Sequence, residues 1–214
     1  MIRPITGCLF LLMTLGFGGC KVFLQTPDET TFAIAPAGWD AHLQNVSEIS
    51  QWQVVGKVGV RSETKGESFN IEWDQIDGNF KIRLFGPLGL GMVTINQSPE
   101  GIEVLKGDER YSAQTLDELL DRLPFNIPVD LLGYWVRGIP APDTQSGPSQ
   151  FNVDGLLQSF NQMGWQVNYN RYDQYQLKTH NSEQTTAISL PNKIVLQKPP
   201  LKIKLAIRSW QIQS

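Results

Sequence analysis

Residues 68–84 read Ser-Phe-Asn-Ile-Glu-Trp-Asp-Gln-Ile-Asp-Gly-Asn-Phe-Lys-Ile-Arg-Leu. Phe69, Ile71 and Trp73 alternate with Ser68, Asn70, Glu72 and Asp74, while Phe80, Ile82 and Leu84 alternate with Lys81 and Arg83. A period of two puts every apolar side chain on one side of an extended chain, so the segment predicts two half-buried antiparallel strands. Asp77-Gly78 between them marks a tight hairpin, because such a turn needs positive φ and glycine supplies it without a steric penalty.

The same period continues outward. Further strands are predicted at Met92–Gln97 and Gly101–Lys106, joined through Ser98-Pro99-Glu100-Gly101. Alternation returns at Trp165, Val167 and Tyr169, at Tyr175 and Leu177, at Ile194 and Leu196, and along Leu201, Ile203, Leu205 and Ile207. Three segments break it. Trp39, Leu43, Val46 and Ile49 recur every three or four residues opposite Asp40, Gln44 and Ser47, the pattern of a short amphipathic helix. Thr115-Leu116-Asp117-Glu118 has the spacing of a capping box and predicts a helix to about Leu123. Pro128–Val136, carrying Leu131, Leu132, Trp135 and Val136, predicts another, stopped by Gly138 and Pro140 and followed by a loop to Gln150. The fold class is α+β: an open, incomplete antiparallel β-barrel with short helices covering or filling its mouth. A closed β-sandwich would leave the apolar helical faces at Trp39 and Trp135 without a place to pack.

Composition narrows the function. The chain has 214 residues, 41% of them hydrophobic and 18% charged, which suits one globular domain. A formal net charge of −3 lacks the basic excess of a general nucleic-acid binder. Two histidines, His42 and His180, have no second ligand near them in sequence, and two cysteines, Cys8 and Cys20, complete a sparse set of nucleophiles and ligands. Asp117, Glu118 and Asp121 fall in the first turns of a predicted helix, where carboxylates complement the helix dipole. No glycine-rich phosphate cradle and no Gly-x-Ser-x-Gly elbow is present. Neither catalysis nor a metal or cofactor site is expected, and nucleic acid is not an expected partner.

The N-terminus carries an address. Arg3 is followed by a largely apolar Ile5–Gly19, too short for the roughly 20 residues of a permanent membrane span and suited to an export signal. Leu15-Gly16-Phe17-Gly18-Gly19-Cys20 resembles a bacterial lipobox, in which the cysteine thiol is acylated and its amine becomes the new N-terminus; Phe17 departs from the usual aliphatic residue. The expected organisation is a signal peptide at 1–19, an acylated Cys20 and flexible tether at 20–38, and one lipid-binding domain at 39–214. Removing Arg3 with the leader leaves a mature net charge of −4 and no cysteine free for a disulfide. By resemblance to other bacterial lipoproteins, Lys21 after the cysteine implies delivery to the outer membrane.

Two apolar features stand out. A curved sheet bearing Phe69, Ile71, Trp73, Phe80, Ile82 and Leu84 on its concave side, with Tyr134 and Trp135 on a covering helix, could enclose a cavity for acyl chains. By alternation alone, a solid hydrophobic core is the favoured reading of this face. In Gly86-Pro87-Leu88-Gly89-Leu90-Gly91, large aliphatics occupy a turn that is normally polar. Pro87 fits the second position of a β-turn and Gly89 can take positive φ, which directs Leu88 outward, flanked by Leu90 and Met92.

Trp52-Gln53 with Gly56-Lys57, then Phe69–Gln75 and Phe80–Gly89, then Leu132-Gly133-Tyr134-Trp135-Val136-Arg137-Gly138-Ile139-Pro140, then Pro191–Trp210 follow one another in an order that resembles the LolB family of outer-membrane lipoproteins. The resemblance implies an incomplete barrel whose apolar cavity accepts acylated lipoprotein cargo from a LolA-like periplasmic carrier. It also implies a monomer, anchored through Cys20 and facing the periplasm, that inserts the cargo among outer-membrane phospholipids. The family's projecting, membrane-inserting leucine matches Leu88; Leu90 leaves open whether that work is shared. A structural or assembly-scaffold lipoprotein with a filled core is the alternative, and it predicts no binding of lipid-like probes.

Overall fold

A computed structural model describes residues 33–89, 91–115, 118–119, 128–178 and 185–213. Helix α1 spans Trp39–Ser47 and helix α2 spans Val129–Arg137. The strands are β1 Gln51–Arg61, β2 Gly66–Ile76, β3 Asn79–Phe85, β4 Val93–Ser98, β5 Gly101–Lys106, β6 Glu109–Ala113, β7 Gln150–Phe151, β8 Leu157–Gln162, β9 Trp165–Lys178, β10 Thr185–Lys198 and β11 Leu201–Gln213. All eleven form one antiparallel sheet in the order β6-β5-β4-β3-β2-β1-β11-β10-β9-β8-β7, open between β6 and β7. The class read from the sequence is the one observed.

Turn chemistry sets the register. Ile76 pairs with Asn79 across a two-residue loop in which Asp77 and Gly78 both have positive φ, 46° and 87°. That mirror-image turn matches the right-handed strand twist. The β8–β9 hairpin repeats the device at Met163 and Gly164, with φ of 50° and 75°. Strands β6, β7 and β8 escaped the sequence reading. Glu109–Ala113 is short and polar, and Leu157–Gln162 shows only Leu157, Phe160 and Gln162 inward, without the apolar alternation that marks the others. The helix expected from Thr115 falls mostly outside the described residues. Its capping contact is visible, since Glu118 Oε1 accepts hydrogen bonds from the Thr115 amide at 3.1 Å and hydroxyl at 2.8 Å.

The first and last long strands meet at the centre of the sheet, from Gln51 opposite Gln213 to Arg61 opposite Lys202. The ladder slips by one residue between Val55 and Gly56. At the slip β11 comes so near that a Cβ on Gly56 would stand 2.3 Å from the Ala206 carbonyl oxygen, which only glycine avoids.

The inner face differs between the two ends of the barrel. Trp52 packs against Trp73 at 5.0 Å and Trp210 at 5.4 Å between ring centroids, and Phe80 meets Trp73 at 6.4 Å, all towards the Asp77 end. Val58, Val60, Ile203 and Leu205 occupy the other end, where Arg61 pairs with Gly66 and Lys202. Rings cluster at the first end, while the second mixes these aliphatics with Phe69 and the buried Trp165.

Replacing Gly56 by alanine should lower stability by about 1–3 kcal/mol, the range of an overpacked interior site. Thermal or urea unfolding of Gly56→Ala beside Gly59→Ala, whose Cβ would meet nothing closer than 4.0 Å, checks this; equal midpoints would remove the close approach as a constraint.

Candidate functional site

Helix α2 lies across the concave side of the sheet because its apolar residues recur on one stripe. Val129, Leu132, Trp135 and Val136 point inward, and Gly138 at φ 89° ends the helix in the left-handed conformation that a C-terminal cap requires. Between this stripe and the sheet lies a cavity of about 80 Å³ lined by sixteen residues, every one apolar. From the sheet come Val58 and Val60 of β1, Phe69, Ile71 and Trp73 of β2, Ile82 and Leu84 of β3, Ile95 of β4, Ile194 and Leu196 of β10, and Ile203 and Leu205 of β11.

A void of this size with no polar lining stays dry. At about 24 cal/mol per Å³ it forgoes about 2 kcal/mol of packing that a tighter core would have. It is also several times smaller than the roughly 300–1,000 Å³ of ordinary ligand pockets. Helix α2 sits on the sheet and fills most of the space in front of it.

A hydrogen-bonded clasp holds the C-terminal end of α2. At the C-terminal end, the Trp135 indole donates to Gln162 Oε1 at 2.8 Å, and the Tyr169 hydroxyl donates to the Trp135 carbonyl at 2.7 Å. Arg137 donates through Nη1 to the carbonyls of Val46 at 3.1 Å and Ile49 at 2.8 Å, capping α1, and through Nε to Gly133 at 3.0 Å. Gln162 is fully buried and serves as the hub: it accepts from the Ala141 amide and donates to the carbonyls of Ala141 and Thr144 and to the Ser146 hydroxyl. At the N-terminal end, Pro128 makes no side-chain cap. Val129 and Leu132 meet the sheet through apolar contact.

Burial sets the titration of the groups around the clasp. Desolvation pulls the Arg137 guanidinium below its ordinary value, partly countered by Tyr134, over whose ring it lies at 5.1 Å. Burial pushes the phenols of Tyr169 and Tyr172 well up, so both remain donors, Tyr172 to the Leu157 carbonyl at 2.7 Å. His42 is half-buried against Trp39, and desolvation lowers its pKa.

The structure brings Phe69, Ile71, Trp73, Ile82, Leu84 and Trp135 together around the cavity. Phe80 and Tyr134 line a separate recess of about 410 Å³ with Ser47, Gln75, Asp130 and Arg137, which adjoins the cavity at Val129. Alternation could name a strand's inward side but not where along the strand the filling thins. For the same reason Val58, Val60, Ile95, Ile203 and Leu205 were not singled out. Helix α1 supplies no cavity residue; among the described residues, the helical lining comes from α2. In the loop, the Gly89 amide donates to the Gly86 carbonyl at 3.2 Å, which puts Pro87 second in a turn, and Gly89 has φ 75°. Pro87 is exposed and Met92 is 47% exposed. Leu90, Cys20 with the whole leader and most of the tether, and His180 lie outside the described residues. Among the described residues, no cluster of three or more metal-ligating side chains occurs.

A family model described as "Outer membrane lipoprotein LolB" matches residues 50–210, from the start of β1 through most of β11. The chain belongs to the LolB family. The outer-membrane lipoprotein LolB of Cellvibrio japonicus is 32% identical over 208 residues, covering 96% of each chain. That of Pseudomonas paraeruginosa is 36% identical over 175 residues, covering 81% of this chain and 80% of its own. Among solved structures, a DUF1329 family protein from Desulfovibrio piger shares the fold at a TM-score of 0.51 and 7% identity, over 84% of this chain and 93% of its own. LolB membership places the chain among outer-membrane lipoproteins of protein transport rather than among enzymes.

Gln162→Leu removes one side chain and strands the Trp135 indole and the Ala141 amide. Each buried, unpaired donor costs about 1–3 kcal/mol, so the variant should lose several kcal/mol in urea unfolding. Trp135 fluorescence responding no differently from wild type would show that the hub does not hold α2.

Proposed function

We propose that this LolB-family protein accepts acylated lipoproteins from a LolA-like periplasmic carrier into the cavity under α2 and inserts them into the outer membrane, to which Cys20 anchors it. The observation that supports this best is the wholly apolar cavity beneath α2, a helix whose C-terminal end is hydrogen-bonded through Trp135 and Arg137. Uptake swings the Val129 end of α2 away while Trp135, Arg137 and Gly138 act as the pivot. The acyl chains then occupy the space α2 vacates and recover the packing that the empty cavity lacks.

The chemistry is transfer without covalent change. Buried acyl chains in a tight cavity would never leave, so the site must bind them better than the carrier does and less well than the bilayer. A void that is small when closed serves this, because every bound state must also hold α2 open. The gradient of affinities then gives direction without a nucleotide. The Pro87-Leu88-Gly89 turn, with Leu90 next to it, dips into lipid at the moment of release; burying one leucine there contributes roughly 1.5–3 kcal/mol.

Two experiments test the reading. Gly133→Cys combined with Gln75→Cys offers a bridge from α2 to β2, since the Gln75 amide oxygen lies 3.9 Å from where a Gly133 Cβ would stand. Joined by a short cleavable bis-maleimide, the pair should abolish cargo uptake, and cleavage should restore it; undiminished uptake in the bridged form would rule out α2 as the cover. Leu88→Glu should still take cargo from the carrier yet deposit it in liposomes at least about tenfold more slowly. Equal deposition by both proteins would remove Leu88 from the mechanism.

A further inference from the structure

Charge in this acidic protein is segregated by strand. The three adjacent central strands β10, β11 and β1 together carry Lys57, Arg61, Lys193, Lys198, Lys202, Lys204 and Arg208 and not one acidic residue. All seven are exposed on the outer wall, and among the described residues none belongs to an ion pair. Arg61 even stands directly opposite Lys202. Like charges across a ladder destabilise a sheet, so the arrangement costs the fold something that it does not recover internally.

Register shows where the charges gather. Arg61 and Lys198 close β1 and β10, and Lys202 and Lys204 fall among the first residues of β11, all at the end where Arg61 pairs with Gly66 and Lys198 with Leu201. Following the ladder through Asn70 opposite Phe85 and Leu84 opposite Val93 brings the Pro87–Gly89 turn to that same end. The β8–β9 turn lies there as well, since Gln197 pairs with Gln166. Two large apolar side chains are bare at this end, Met92 at 47% exposure and Met163 at 61%. Lys65 and Lys106 share their turns with Glu63 and Asp108, and Lys106 also faces Glu109, so they add little net charge. Glu67 lines one recess with Arg61, Lys202 and Lys204, so that group keeps a net positive charge of three cations to one carboxylate.

We propose that this end of the barrel is a docking surface for anionic phospholipid, with Arg61, Lys198, Lys202 and Lys204 as a basic collar beside the apolar turn. An apolar tip beside cations is the signature of a surface that rests on charged headgroups and buries its tip among acyl chains. Three of the four are lysines, which are depleted from specific protein interfaces but suit a diffuse, fluid layer of phosphates. Lys57 and Lys193 lie further up the wall: Lys57 is four residues from Arg61, about 13 Å at the rise of a strand, beyond the ~8 Å reach of unscreened charge at physiological salt. They should contribute little to an upright protein. The inference deepens the membrane-facing role given above to the Pro87 turn.

The test uses the mature chain from residue 20 with Cys20→Ala, so that neither the apolar leader nor an acyl anchor contributes, and measures co-sedimentation with vesicles of phosphatidylcholine alone or with about a third phosphatidylglycerol. Binding to the anionic vesicles should exceed binding to the neutral ones at least about tenfold. Near an anionic surface each basic residue is worth roughly fivefold, so Lys202→Glu with Lys204→Glu should weaken anionic binding on the order of 25-fold or more. Lys57→Glu with Lys193→Glu changes net charge identically and should weaken it less than about threefold. Equal loss from both pairs, as an acidic protein or a bilayer laid along the wall would give, overturns the proposal, as does indifference of the parent chain to phosphatidylglycerol. The assay contains no cargo and no carrier, so its outcome is independent of whether lipoproteins enter the cavity.

Discussion

The apolar contact between α2 and the concave face of the sheet governs everything else in this molecule. Without α2, the inner residues of β1, β2, β3, β10 and β11 would face water, and without the sheet, the stripe from Val129 to Val136 would have nothing to cover. The contact is non-directional along most of its length, because hydrophobic burial has no preferred geometry. Hydrogen bonds add direction at Trp135 and Arg137, where they fix the C-terminal end of the helix. The hydrogen-bonded clasp sets the position of α2, and the apolar stripe ahead of it sets what the helix covers.

Much of this architecture was legible in the amino-acid order. Phe69-x-Ile71-x-Trp73 and Phe80-x-Ile82-x-Leu84 around Asp77-Gly78 specify a hairpin at every level at once, through period, turn chemistry and β propensity, and the observed pairing follows. Trp39, Leu43, Val46 and Ile49 likewise declare one helical face. Glu109–Ala113 and Leu157–Gln162 were silent because strands near an open edge, or lined by an inward glutamine, lack the apolar alternation on which recognition depends.

The site was legible only in part, for a reason of a different kind. Alternation says which way a side chain faces and nothing about how completely its neighbours fill the space in front of it. Trp73 and Phe80 belong to the same inward row, yet Trp73 borders the cavity while Phe80 borders the neighbouring recess, because the ladder places them differently along the barrel axis. Gln162 gave no signal at all. A lone glutamine in a strand reads as solvent-facing, and its role as hub exists only once the loop at Ala141–Ser146 has folded over it.

The pairing of β1 with β11 bears on how the chain is made. On either side of that seam, neighbouring strands in the sheet are consecutive in sequence, so each half can form as a local meander. The seam itself joins residues from opposite extremes of the domain, and such distant partners find each other slowly. Until the ribosome has released the final dozen residues, the middle of the sheet has no second wall. A polypeptide whose central wall is written last cannot settle into this sheet until nearly all of β11 is available.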